Sequence, residues 1–589
     1  MLSTGAAVRI CITHSRKCEA LAGACANNQR QVIGATMHSV NGDRAAPNRG
    51  VTVRGLWPNA VAENFHEVPG ADSSDLGAWC YTDRLSYAPG EVVRIHTATT
   101  AAKYDLVIYR DGAEETVVLG WEGLPGRFHP TPPDASVNGC GWPVAVEFEV
   151  PPGWRSGGYI ARIRAQCDEA TWADHHFPFA IRSHGPSVPS ALLLVTCTAT
   201  WVAYNDWGGS NFYEGVAGED RNKPSPIVST LRPFSRGFAW LPKGAPRIPL
   251  RQPPTLGEAP RYPHMEWAYA NGFSKKYASA GWATYERHFA GWAESQGFTV
   301  DVATQHDLHR FPGLLDGYAC VAFVGHDEYW TWEMRDAVDA YVDRGGHVAR
   351  FAGNFTWQIR IEADGTRQVG YKSVAETSDP VRDTDRKHLL TTAWEDVAVA
   401  RPGALTFGLN GSCGIYAGWG ACVPRGSGGF TVYRPGHWAF EGTDLYYGDQ
   451  LGAEAKIFGY EVDGCDYTFR NGLPYPTGTD GAPDNLEILA MGLATTSEAD
   501  HRNPGSVFFI GDLDAQAVAH RRFRRSDEAA IDSVRRGSGM IACFDRGRGS
   551  VFNAGSCEWV AGLIARDPFV ERLTRNVLAR FTQSPTALR

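Results

Sequence analysis

One stretch of the chain carries more chemistry than its local structure requires. It reads CVAFVGHDEYWTWEMRDAVDAYVDRGGHVARFAGN, from Cys320 to Asn354. An apolar run ends in Gly325-His326-Asp327-Glu328-Tyr329-Trp330, which brings an imidazole, two carboxylates, a phenol and an indole together. Such groups hydrogen-bond, carry protons or bind metal. A strand-to-helix turn needs only a glycine and a cap. The plain structural reading makes Asp327 that cap, sets Glu328 at the positive helix N-terminus, and leaves Tyr329 and Trp330 to the core. The density of polar groups favours the functional reading, in which His326 or Glu328 moves protons within reach of a carbonyl or a water. Asn354, at the end of HVARFAG, is placed to orient a substrate or a ligand shell. His437 and Glu441, in HWAFEG, are further candidates on a second loop.

The other motifs carry less. In YNDWGGSNFYEG, Asn-Asp and Gly-Gly make turns without any function, and Tyr204, Trp207 and Tyr213 read as packing. Cys197 follows a strand as a nucleophile would, but it lacks the tight glycine-flanked turn and reads as an inert buried thiol. There is no GxSxG elbow, HExxH or P-loop, and Gly537-Ser538-Gly539 does not extend to GxGxxG.

The elements that must position the cluster follow from periodicity. Continuous apolar runs such as Ala191–Val195 and CVAFVG read as buried parallel strands. WTWEMRDAVDAYVDRGG is an amphipathic helix with Trp330, Met334, Ala337, Val338, Tyr341 and Val342 on its apolar face. Its other face carries Glu333, Arg335, Asp336, Asp339 and Asp343. Strand, helix and strand in this order make a βαβ unit and a parallel sheet. Ligands in such sheets bind beyond the carboxyl ends of the strands. Three loops, after LLLV, CVAFV and HVARFAG, converge on one edge if their strands are neighbours. SAGWATYERHFAGWAESQGF predicts a helix with Trp282, Tyr285, Phe289 and Trp292 on one face. Upstream, VAVEFEV and YIARIRA alternate as half-buried antiparallel strands, which predicts a β-sandwich of about 100 residues.

Composition sets the outer limits. The chain has 589 residues and a net charge of -9 without a basic tract, which argues against nucleic acid. The 13 cysteines are scattered and form no CxxC, which excludes a zinc ribbon and suits reduced thiols in the cytoplasm. A Cys413–Cys422 disulfide is the less favoured alternative. No stretch reads as a membrane span or a signal peptide. Residues 1–74 read as a poorly structured extension, 75–184 as the β-sandwich, and 185–589 as an α/β domain with an irregular, β-rich insertion around 362–480.

TWVAYNDWGGSNFYEG, GHDEYWTWEMRDAVDAYVDRGGHVARFAGNFTWQIR and GSVFNAGSCEWVAGL together resemble the large (β) subunit family of N,N-dimethylformamidase. The resemblance covers most of the chain from about Leu76 onward. It implies a β-sandwich joined to a glutamine-amidotransferase-like α/β domain. It also implies an amidohydrolase that holds one iron through two tyrosines and a glutamate. Carried over by residue, Tyr329 matches an iron tyrosine. His288 stands where the second is expected, with Tyr285 one turn earlier. The glutamate is expected between Leu409 and Trp419, where there is none, and Glu441 is the nearest acid in a plausible context. The expectation is an iron-dependent hydrolase of a C–N amide bond in a small molecule, with a small partner subunit or a homo-oligomer. The rival is a binding or scaffold protein that kept the fold and lost the metal.

Overall fold

The computed structural model describes residues 51–54, 63–69, 75–166, 172–215, 223–247, 263–416, 428–458, 461–495, 512–534 and 536–583. The fold is mixed α/β, rich in strands and divided among several sheets. Two compact units emerge, one of Met1–Arg182, Tyr204–Arg247 and His264–Arg287, the other of Ser183–Ala203, Ile248–Pro263 and His288–Arg589.

In the first unit, Val51–Arg54 pairs antiparallel with Glu63–His66. A three-stranded sheet of Ala78–Thr82, Val92–Thr99 and Val144–Glu149 lies against a five-stranded one built on Lys103–Asp111, Gly157–Gln166 and Trp172–Ile181. Alternating residues such as Ile95, Ile108, Ile163 and Phe177 are completely buried, as period-two patterning requires.

The second unit is organised by a nine-stranded sheet. Val300–Thr304, Leu192–Thr196, Cys320–His326, His347–Gly353 and Gly549–Asn553 run parallel in that order. The next strands, Arg536–Arg546, Glu487–Thr495, Phe430–Val432 and Gln450–Leu451, are antiparallel. The sheet is therefore divided between the two kinds of pairing, where the apolar runs alone suggest a largely parallel one. The difference arises because hairpin-type pairing of the C-terminal strands extends one side. As the βαβ reading requires, the strands preceding Cys197, Asp327 and Asn354 are adjacent and parallel, so their carboxyl ends share one edge.

Two local readings change. The helix at Trp332–Asp343 is capped by Thr331, whose hydroxyl accepts from the Met334 N–H. Asp327 is thus not the cap, and the plain reading of the polar cluster fails at that residue. Arg335, read as surface, is completely buried. It donates to the Thr406 hydroxyl and to the carbonyls of Arg401 and Pro402. Upstream, the helix read over SAGWATYERHFAGWAESQGF begins only at Glu286, after Gly281 at φ 120°.

Candidate active site

His326 ends a central strand and points its Nε2 into a cluster of buried acids. Glu461 Oε2 lies 2.7 Å from that nitrogen and Glu328 Oε2 lies 3.3 Å from it. Strand-like alternation places His326 and Glu328 on the same side and sends Asp327 to the other. The Trp357 indole N–H donates to Glu328 Oε1 at 2.8 Å, and the Glu328 backbone N–H donates to Thr200 at 3.1 Å. Both oxygens of Glu328 are therefore engaged, although the residue is fully buried.

Asn354 completes the arrangement from the neighbouring strand. Its amide nitrogen donates to Glu461 Oε2 at 2.8 Å and lies 3.0 Å from His326 Nε2. The Thr356 hydroxyl donates to its carbonyl oxygen at 2.5 Å, which sets the amide with its N–H groups toward the acid. Asn354 sits at φ 64°, a left-handed conformation that asparagine tolerates better than most residues. The glycine before it permits close approach: a Cβ on Gly353 would meet the Cys557 nitrogen at 2.6 Å and the Glu461 carbonyl oxygen at 2.7 Å.

Glu461 arrives on Glu461–Gly464, which pairs antiparallel with Asn410–Tyr416. The Cys557 N–H holds the ribbon by donating to the Glu461 carbonyl at 3.1 Å. Burial, the largest influence, pushes the Glu461 carboxyl above its usual range; His326 opposes this and Glu328 adds to it. His326, Glu461 and Cys557 present donor atoms within 4.8 Å of one another. Burial pushes the Cys557 thiol well up, reinforced by Glu461, Asp463 and Glu558.

Behind this group lies a second one. Arg350 Nε is 3.0 Å from Asp327 and its Nη1 is 2.6 Å from Asp463, with all three side chains fully buried. Across both groups, four carboxylates face one guanidinium and one imidazole. A protonated imidazole would still leave negative charge in excess, and buried net charge is costly.

Among the residues singled out from sequence, His326, Glu328 and Asn354 come together. Tyr329 is fully buried beside them in the chain, on a short strand paired with Trp357–Gln358, and the Lys372 ammonium stands 5.5 Å from its ring. His288 is half-buried on Glu286–Ser295 and lies outside the His326, Glu461 and Cys557 grouping. His437 caps the turn at Trp438–Phe440 and lies 3.5 Å from Glu487, with burial, then Arg580 and Arg434, lowering its pKa to about 4. Glu441 is exposed, and its carbonyl accepts from Asn576. The acid that meets His326 is Glu461, twenty positions further along. Its signal was present in FGYEVDG, where two acids sit in a short apolar strand. Arg350 had a clearer one, as the only charged side chain in HVARFAG. Cys197 is buried, with its thiol 3.3 Å from the Val324 carbonyl, as the inert reading expects. Cys413 is a free buried thiol, and Cys422 lies outside the described residues.

Residues 105–570 match the sequence family described as N,N-dimethylformamidase beta subunit-like, C-terminal, and the chain belongs to that family. The N,N-dimethylformamidase beta subunit of an Alcaligenes species is 25% identical over 493 residues, covering 76% of this chain and 55% of that protein. The protein of the same name from Paracoccus aminophilus is 24% identical over 489 residues, with the same 76% and 55% coverage. The chain thus spans about half the length of these relatives. Among solved structures, Spo0M, a sporulation control protein from Bacillus subtilis, matches 20% of this chain and 51% of its own at 13% identity and a TM-score of 0.13, too low to support an argument.

Proposed function

We propose that this chain is the catalytic part of a hydrolase that cleaves the C–N bond of a small amide of the N,N-dimethylformamide kind. The observation that carries this reading is the 2.7 Å contact of His326 with Glu461, made beside a second carboxylate and under the amide of Asn354. Amide hydrolysis needs a group that takes a proton from water and returns it to the departing nitrogen. An imidazole and a carboxyl sharing one proton can do both. Glu328, held by the Trp357 indole, keeps the imidazole oriented and favours its charged form. Asn354 fixes Glu461 through its amide N–H. The five parallel strands support an amidotransferase-like reading of the α/β part, and the two contacting sheets support the sandwich reading.

Iron belongs to the proposal through the family. The donors fit such an ion: His326 Nε2, Glu328 and Glu461 offer nitrogen and oxygen ligands, and the excess of buried negative charge calls for a cation. These three would hold it, while Tyr329 and His288 are the alternative set implied by the resemblance. Bound iron would polarise the amide carbonyl and make a water more acidic. A further subunit is part of the reading because the relatives are named as beta subunits, with a homo-oligomer as the alternative. The described cysteines are free and buried, which supports a cytoplasmic location. No helix among the described residues is long and apolar enough to cross a membrane.

The test is release of dimethylamine from N,N-dimethylformamide and related small amides, with elemental analysis of the same protein. Turnover that vanishes in His326→Ala and Glu461→Gln supports the proton pair. Iron retained in Tyr329→Phe and His288→Ala but lost in Glu461→Gln assigns the ligands to the cluster, and the reverse pattern assigns them to the tyrosine set. Absence of turnover across the panel, with or without iron, would favour the scaffold reading.

A further inference from the structure

Resting on the reading of the His326 cluster as the reactive centre, we propose that Arg350 is a positioning residue that locks three separate segments of that centre into register through Asp327 and Asp463. Arg350 lies mid-strand in the sheet, between Phe323 and Asn553. A fully buried guanidinium there is costly unless its hydrogen bonds are met. Its Nε donates to Asp327 at 3.0 Å. The two N–H groups of its Nη1 are shared among Asp463 at 2.6 Å, the Ala352 carbonyl at 3.1 Å and Asn553 at 3.2 Å, while Nη2 has no hydrogen-bond partner among the described residues.

Each acid belongs to a segment that carries a reactive group. Asp327 stands between His326 and Glu328. Its other oxygen accepts from the Trp330 indole at 2.7 Å and from Gln305 at 2.8 Å. Asp463 stands two residues after Glu461 on the same strand. Its other oxygen accepts from the backbone N–H of Phe355 at 3.0 Å, the residue after Asn354. One guanidinium therefore reaches, directly or through one carboxylate, the segments bearing His326 and Glu328, Asn354, and Glu461. A planar fork fixes two acids at set angles, which a lysine ammonium does not do. Reactive groups displaced by about 1 Å lose about a hundredfold in rate.

The experiment uses the full chain labelled with 5-fluorotryptophan and read by fluorine NMR. Trp330 donates to Asp327 and Trp357 donates to Glu328, so one indole reports each group. Their signals are assigned with Trp330→Phe and Trp357→Phe. In Arg350→Lys and Arg350→Met both signals are expected to move, while that of Trp121, in the other unit, stays. With N,N-dimethylformamide, kcat is expected to fall about tenfold in the lysine variant and about a hundredfold in the methionine variant, with KM within about twofold. Should Arg350→Met fail to fold, Asp463→Asn keeps the Arg350–Asp327 pair and releases the Glu461 side. A Trp357 signal unmoved while Trp330 shifts would overturn the proposal, as would equal displacement of every tryptophan, which marks general loosening. If the wild type turns over no amide, the hydrolase reading fails, and the fluorine signals still decide whether Arg350 positions Glu328.

Discussion

The two buried charged groups at the sheet edge are close in space and opposite in construction. In one, Arg350 answers Asp327 and Asp463 through its Nε and Nη1. In the other, a single imidazole lies between Glu328 and Glu461, with the Asn354 amide donating to Glu461 and the Trp357 indole to Glu328. Burial raises the Asp327 carboxyl despite the guanidinium, while the two aspartates more than offset the effect of burial on Arg350 and raise its pKa. The first group is arranged for geometry. The second joins the same number of acids to a base that can gain and lose its proton. Acids of similar chemistry thus serve different ends, according to the partner they were given.

The comparison is sharpest in activity. Replacing His326 by Gln, which keeps a hydrogen-bonding group between Glu328 and Glu461, is expected to lower amide turnover about 10²–10⁴-fold, the usual contribution of a positioned acid–base group, with a smaller change in thermal unfolding than Arg350→Met. Steady-state kinetics and a melting curve on one preparation check this. A large loss of melting temperature would make His326 a structural residue like Arg350.

Stability should run the other way. Arg350→Met is expected to cost about 3–5 kcal/mol, because it leaves two carboxylates buried without their partner. Glu461→Gln removes one of two crowded acids and is expected to change stability by about 1 kcal/mol or less, in either direction. Urea titration separates the two. Equal losses would erase the distinction between the groups.

Trp357→Phe tests the support of Glu328. The substitution removes one hydrogen bond to a buried carboxylate, at about 1–3 kcal/mol by urea titration. Asn354 offers a finer cut. Asn354→Gly suits φ 64° and is expected to reduce turnover while keeping stability, whereas Asn354→Ala adds about 1–2 kcal/mol of backbone strain. At the small end, Glu441→Gln is expected to stay within about 0.5 kcal/mol and to leave turnover unchanged, since the side chain is exposed.

Much of the sheet edge could be read before any coordinates. The apolar runs leading to His326 and Asn354 are adjacent parallel strands, and each reaches a glycine just before its polar residue, so their loops had to meet. Asp327 was misassigned because capping is a local rule, while its Arg350 partner sits 23 positions away. His437 and Glu441 share one loop, and Glu441 is the acid nearest the expected ligand position, but their packing turns them to Glu487 and to solvent.

By itself the sequence determined the alternation of strand and helix, the carboxyl-end edge, and three of the polar groups on it, because each depends on neighbours a few residues apart. Only the tertiary structure decided that Glu461, 107 residues beyond Asn354, would lie over that edge, 2.7 Å from His326 Nε2. It also decided that a lone arginine within a buried strand would answer two aspartates from different segments. Register between distant strands is set by packing and hydrogen-bond closure over the whole unit, and no local pattern encodes it.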